Sequence, residues 1–293
     1  MLLEGIILRG YSGFYYVWAE DVTYECSLRG RYRLKMQDFL PGDRVKILLV
    51  EGQNKGVIEE VLPRQTELVR PPVANVTQVV IVMALQSPDP DLVLLDRLLI
   101  LAQEAGIRPV ISFNKLDLAP EEVVADLNNL YTGLGYKVIL TSAKKGIGII
   151  ELKQELQGEV TVFAGPSGAG KSSLLNAVQP GLQLKTGEVG EKSRRGKHTT
   201  RHVALMPMEN GGFVADAPGF SRLYLPELKR EELAFYFPDF ACFRNMCKFN
   251  TCLHHSEPQC AVRAALDKGL IDPRRYEHYI AFLQEVIAKE RSF

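Results

Sequence analysis

A chain of 293 residues, 46% hydrophobic and 24% charged, holds enough apolar material for two or three domains with cores of their own. Its 35 Lys and Arg balance its 35 Asp and Glu, so whole-molecule charge says nothing about nucleic-acid partners and any such surface must be local. No apolar run approaches the roughly 20 residues of a membrane span, and the N-terminus lacks a signal-peptide pattern, so the expectation is a cytoplasmic protein with no membrane partner.

In chain order, the first block contains short runs rich in β-formers, "GIIL", "GFYYVWAE", "TYECSLRGRYRLK", "DRVKILLV" and "GVIEEVL". Turn signals such as "PGD" and "EGQNKG" separate them, which predicts a small antiparallel barrel. The pattern then changes. Apolar strands ("VTQVVIVMA", "PVISFN", "YKVILTS", "EVTVFAG") alternate with helical stretches such as "DLVLLDRLLILAQEAG", the signature of an α/β domain with a mostly parallel sheet. The last block is helical around a cysteine cluster and ends in "PRRYEHYIAFLQEVIAKE". Three domains are predicted, 1–68, 69–223 and 224–293. Of five cysteines, Cys26 stands alone while Cys242, Cys247, Cys252 and Cys260 fall together, which in a reducing compartment suggests metal before disulfide.

The strongest motif is the P-loop, Gly165, Pro166, Ser167, Gly168, Ala169, Gly170, Lys171, Ser172 and Ser173, between an apolar strand and a helix. Its glycines let backbone N–H groups curl around phosphate, Lys171 reaches the β- and γ-phosphates, and Ser172 is a Mg²⁺ ligand. "NKLD" chooses the base: Asp117 would accept from the N1 and N2 donors of guanine, with Asn114 and Lys115 in the same turn. "TSAK" ends the next strand, where Ser142 and Ala143 complete the base site and a backbone N–H reaches the guanine oxygen. In "DAPG", Asp216 would hold Mg²⁺ through water and the Gly219 amide would sense the γ-phosphate. Between P-loop and DAPG lies "EKSRRGKHTTRH", where Thr200, or failing that Thr199, is the second Mg²⁺ ligand.

These motifs run NKxD, SAK, P-loop, threonine, DxxG, an ordinary G domain rotated by two motifs. Joining the old termini and cutting after the DxxG strand alters no required contact. The reading is a circularly permuted GTPase. Its seam is the helical "GIIELKQELQ", which runs almost directly into the P-loop strand.

Elsewhere the residues leave choices open. Cys247-x4-Cys252-x-His254-x5-Cys260 offers the three thiolates and one imidazole of a structural Zn²⁺ site, with Cys242 and His255 as competing ligands. Arg29, Arg31, Arg33 and Lys35 alternate on one strand face near Tyr32, with Phe14, Tyr15, Tyr16 and Trp18 elsewhere. That describes either an RNA-binding barrel face or a solvated face over an aromatic core. Lys192 to Arg201, Arg274 and Arg275 are further candidate phosphate contacts. Phe220 follows DxxG where many GTPases have a water-positioning glutamine, so slow intrinsic hydrolysis is expected. His198 is a candidate for orienting the attacking water, or else an exposed or RNA-contacting histidine.

From "GFYYV" and "CSLRGRYRLK" through "PGDRV", "NKLDL", "GPSGAGKSSLLN", "GKHTTR" and "DAPGF" to the cysteine cluster, the chain resembles the bacterial small-ribosomal-subunit-dependent GTPases, the RsgA (YjeQ/YloQ) family. The resemblance implies an N-terminal OB barrel, a permuted G domain and a C-terminal zinc domain. It also implies GTP hydrolysis that is slow alone and faster on the small ribosomal subunit, in late assembly and in contact with rRNA. It selects Cys247, Cys252, His254 and Cys260 as zinc ligands and places a proposed catalytic histidine at His198, alongside Lys171 and Thr200. Gln259 departs from the glycine usual before the last cysteine. A monomer is expected, and loss of the γ-phosphate is expected to move the C-terminal domain relative to the barrel. The rival readings are a P-loop kinase or ATPase with NKLD accidental, and an RNA-binding module that holds nucleotide without turning it over.

Overall fold

The computed structural model describes residues 1–11, 13–29, 39–69, 71–182, 203–216 and 225–291. Strands β1 (Leu2–Tyr11), β2 (Phe14–Ala19), β3 (Val22–Leu28), β4 (Arg44–Leu49) and β5 (Lys55–Val61) close into a barrel of order β1-β2-β3-β5-β4. Alternation decides its interior: Leu3, Ile7, Val17, Ala19, Cys26, Val45, Ile47 and Ile58 fill it, as a period of two requires. The barrel is not wholly antiparallel, because β3 and β5 pair in parallel. Once β4 forms a hairpin with β5 and also closes against β1, the free edge of β5 runs in the same direction as β3.

A short hairpin, β6 (Glu67–Val69) with β7 (Pro72–Ala74), leads into a six-stranded sheet. Its strands are β8 (Gln78–Ala84), β9 (Arg108–Asn114), β10 (Lys137–Leu140), β11 (Val160–Ala164), β12 (Ala204–Pro207) and β13 (Phe213–Asp216), in the order β10-β9-β8-β11-β13-β12. Only the β12–β13 pair is antiparallel. Every residue of β8 is buried, which explains its unbroken apolar run: a central parallel strand is covered on both faces. Helix α1 (Leu92–Glu104) lays Leu95, Leu98, Leu99 and Ala102 on one face, with α2 (Glu121–Gly133) beside it. Helices α3 (Ile149–Glu155) and α4 (Lys171–Val178) cover the other face. The chain enters this sheet by β8 and leaves it by β13, the two neighbours of the P-loop strand β11, as the rotated motif order requires.

Beyond Leu225, short 3₁₀ turns and helices α5 (Ala261–Asp267) and α6 (Pro273–Glu290) surround a separate core of Phe237, Phe240, Tyr279, Phe282, Leu283 and Val286. Pro273 at the first turn and Asp272 as cap, accepting from the Arg274 N–H, start α6 where the sequence signals it. Among the described residues, no helix is long and apolar enough to cross a membrane.

Candidate nucleotide and metal sites

Parallel strands bring their C-terminal ends to one edge of the sheet, and there the motifs meet. Gly165 follows β11 at φ 125°, and a Cβ on it would lie 2.1 Å from the Val82 carbonyl oxygen, so only glycine lets the loop turn this close to β8. Gly170 (φ 98°) is tighter in another way: a Cβ there would stand 2.3 Å from Asn114 Nδ2. Asn114 is thereby free to donate from Nδ2 to the Ala169 carbonyl at 2.9 Å, which ties NKLD to the P-loop across 55 residues of chain. Its Oδ1 accepts from the Ala143 N–H and from Thr141 Oγ1, both at 3.3 Å.

Asp117 accepts from Ser142 Oγ at 2.5 Å, and Ser142 Oγ in turn accepts from the Lys145 N–H. The Ser142 hydrogen bond, with Lys144 and Lys145 nearby, holds the Asp117 carboxyl below its ordinary 3.8, as an acceptor for a base edge requires. Lys171 donates from Nζ to the Gly165 and Pro166 carbonyls, each at 2.8 Å, and burial lowers its pKa. An ammonium held in its own loop, partly stripped of water, gains from an incoming phosphate. Asp216 ends β13, and the β11–β13 register (Val162 opposite Ala215) puts its backbone level with Phe163, two residues before the P-loop starts.

Two contributors carry no motif signal. Ser112 is fully buried in β9, and its hydroxyl lies 3.0 Å from Thr141 Oγ1, so a chain of hydroxyls supports Asn114 from below. A serine inside the apolar run "PVISFN" was the available clue. The second is the turn after β8: Lys115, at φ 63°, donates from Nζ to the Ser87 carbonyl, and Pro88 approaches Gly168. His198, Thr199, Thr200, Gly219 and Phe220 lie outside the described residues, as do Arg31, Tyr32, Arg33, Lys35 and Lys192 to Arg201.

In the C-terminal region one ligand atom each from Cys247, Cys252, His254 and Cys260 lies within 4.8 Å of all the others. Cys247 Sγ and Cys260 Sγ are 3.9 Å apart, and each is 3.5 Å from His254 Nδ1. Tetrahedral zinc with ordinary bond lengths needs S···S edges of about 3.8 Å and S···N edges of about 3.5 Å, so the donor set and the spacing fit that ion. Burial lowers the His254 pKa and keeps the imidazole neutral, as a ligand must be. Backbone N–H groups of Ala261 and Arg263 point at the Cys247 and Cys260 sulfurs, the outer contacts that stabilise thiolates. Cys242 and His255 are exposed and outside this group. Gln259 takes φ 57°, a left-handed position that glycine occupies without strain.

The basic and aromatic candidates separate. Tyr15 packs in the barrel against Phe39, and Trp18 packs against the central core. Arg9 covers Tyr16 at 4.7 Å, and Phe14 is exposed. Arg29 pairs with Glu59. Arg275 overturns the expectation of a phosphate contact: its side chain is 2% exposed and is bound by Asp96 and Asp239. The "RR" pair starts a helix, whose turn sends Arg275 into the core while Arg274 stays outside, paired with Asp126 and Asp272.

Comparison with known proteins agrees with this geometry. The RsgA GTPase family model matches residues 61–226 and the RsgA N-terminal domain model matches 4–58. The Moorella thermoacetica protein named small ribosomal subunit biogenesis GTPase RsgA is 56% identical, covering 99% of this chain and 100% of its own. The crystal structure of YjeQ from Thermotoga maritima superposes with a TM-score of 0.85 at 38% identity, over 98% of this chain and 99% of that one. That of YloQ, described as a circularly permuted GTPase, gives 0.83 at 37% identity, over 99% and 96%. With a closed barrel, a permuted P-loop domain and a cysteine cluster in place along nearly its whole length, the chain belongs to the RsgA GTPase family.

Proposed function

We propose that this GTPase acts in biogenesis of the small ribosomal subunit, in contact with rRNA and stimulated by the subunit. The observation that carries the chemistry is the hydrogen bond from Asn114 to the Ala169 carbonyl, which makes the base-reading turn and the phosphate loop one site. The ribosomal role rests on the relatives' name.

In the proposed site, Asp117, oriented by Ser142, accepts from guanine, and the Ala143 N–H turns from Asn114 Oδ1 to the base oxygen. P-loop residues Gly165 to Ser173 wrap the phosphates, and Lys171 leaves the Gly165 and Pro166 carbonyls for the β- and γ-oxygens. Ser172, Thr200 and Asp216 would hold magnesium, which would supply neutralisation of the charge that develops on the phosphates. Gly219 senses the γ-phosphate and His198 orients the attacking water. Cys247, Cys252, His254 and Cys260 hold one structural zinc. The chain is read as three domains, 1–68, 69–223 and 224–293, and the protein acts as a cytoplasmic monomer.

The test is phosphate release from GTP and from ATP, with and without purified small ribosomal subunits. GTP-selective turnover that rises with the subunit is the expected result. Equal use of ATP would remove the guanine reading, and GTP turnover indifferent to the subunit would remove the ribosomal one.

A further inference from the structure

Asp96 lies on the inward face of α1 with its carboxylate fully buried, and three other elements converge on it or on its partner. Tyr131 of α2 donates to Oδ1 at 3.0 Å, Arg275 of α6 pairs with the same oxygen, and His278 Nδ1 of α6 stands 2.5 Å from Oδ2. The far side of the Arg275 guanidinium is taken by Asp239, in the 3₁₀ turn Pro238–Phe240, at 2.8 and 3.2 Å, and Phe237 lies under its plane at 4.7 Å. Next along α1, Arg97 grips Glu285 of α6 through two hydrogen bonds of 2.9 and 2.7 Å.

Stability alone does not call for such a cluster, since well-packed apolar side chains of the same volume commonly do as well as a buried ion network. What a fully paired guanidinium does supply is a single relative orientation of the pieces it joins.

Both ends of the joined helices reach a site. The turn preceding α1 supplies the Ser87 carbonyl to Lys115 and sets Pro88 beside Gly168 of the P-loop. On α6, neighbours of Arg275 and His278 hold the metal loop: Tyr276 Oη donates to the His254 carbonyl and Tyr279 Oη to the Leu253 carbonyl, each at 2.7 Å. We propose that α1 and α6, locked together through Asp96 and Arg275, couple occupancy of the nucleotide site to the loop that carries the metal ligands. The C-terminal domain then moves as a rigid extension of the G domain, and motion relative to the barrel occurs elsewhere. The proposal rests on the guanine-nucleotide reading of the P-loop site.

The test is amide exchange in full-length, zinc-loaded protein, without nucleotide and with GDP or its non-hydrolysable imido-triphosphate analogue, alongside a direct binding measurement. The expected result is a change of about fivefold or more at residues 252–255 in the wild type, within the usual range of coupling between sites. It should fall below about twofold in Asp96→Asn and in Arg275→Gln, and persist in Arg274→Ala, which removes the pairs with Asp126 and Asp272 outside the cluster. If the single variants do not fold, the shape-matched triple Asp96→Leu, Asp239→Leu and Arg275→Met, which leaves no carboxylate of the cluster unpaired, takes their place. Nucleotide binding that leaves 252–255 unchanged in the wild type, or a change undiminished in the cluster variants, would overturn the coupling alone. Absence of nucleotide binding would overturn the site reading and the coupling with it.

Discussion

The nucleotide site and the metal cluster hold their shapes by different means. Around Gly165 to Lys171 the loop is set by backbone close approach and by hydrogen bonds of Asn114, Thr141 and Ser142 to fixed partners. Around Cys247 to Cys260, three sulfurs and an imidazole crowd together, and burial pushes the Cys252 and Cys260 thiols up, against the deprotonation a metal needs. The first site is complete as a protein structure and receives its ligand. On the zinc reading proposed above, the second needs a cation, whose charge would reverse the cost of placing thiolates together.

That difference should appear first in stability. Chelation of zinc, or Cys252→Ser, is expected to lower the melting temperature by on the order of 10 °C, read by circular dichroism. Removal of nucleotide from the wild type should lower it far less. The nucleotide site should instead fail in function. Lys171→Ala is expected to cost about 100- to 1000-fold in GTP turnover with little change in melting temperature, since the lost charge is partly buried and donates to the carbonyls of its own loop. A melting loss as large as that of Cys252→Ser would break the comparison. Asp117→Asn sharpens it: one charged hydrogen-bond acceptor for the base lost should weaken GTP binding by about 10- to 100-fold in a titration with labelled nucleotide.

Acid should loosen the C-terminal anchorage. Burial raises the Glu285 carboxyl, but the Arg97 hydrogen bonds and charge and the Leu225 N–H outweigh it and hold the group below its ordinary 4.5. A carboxyl depressed in the folded state contributes stability that is present above pH 4.5 and is lost as pH falls through the lower folded value. Glu285→Gln should flatten that part of the stability profile. The smallest effect is expected at Gln259, where φ 57° strains any residue with a Cβ: Gln259→Gly should stabilise the zinc-loaded protein by about 1 kcal/mol in denaturant unfolding. A loss of stability there would mean that the Gln259 side chain contributes more than its backbone costs.

The motifs were legible because their chemistry is local. A P-loop needs glycines at fixed steps before Lys171, a zinc loop needs Cys and His within reach, and strand ends can be counted, so the cyclic order and the three-part layout followed from spacing. Arg275 shows the limit: in sequence it is one of two adjacent arginines, and only packing distinguished the exposed Arg274 from a partner buried with Asp96. The parallel β3–β5 pair, Trp18 turned onto the central core, and the hydroxyl of Ser112 beneath Asn114 were likewise decided by which elements meet. Sequence by itself determined what chemistry this chain can perform, because ligand geometry is written in short-range spacing. Tertiary structure alone decided which charges are buried and which domains are bound together, because those follow from contacts between residues of different elements, such as Asp96 and Arg275, that no local spacing relates.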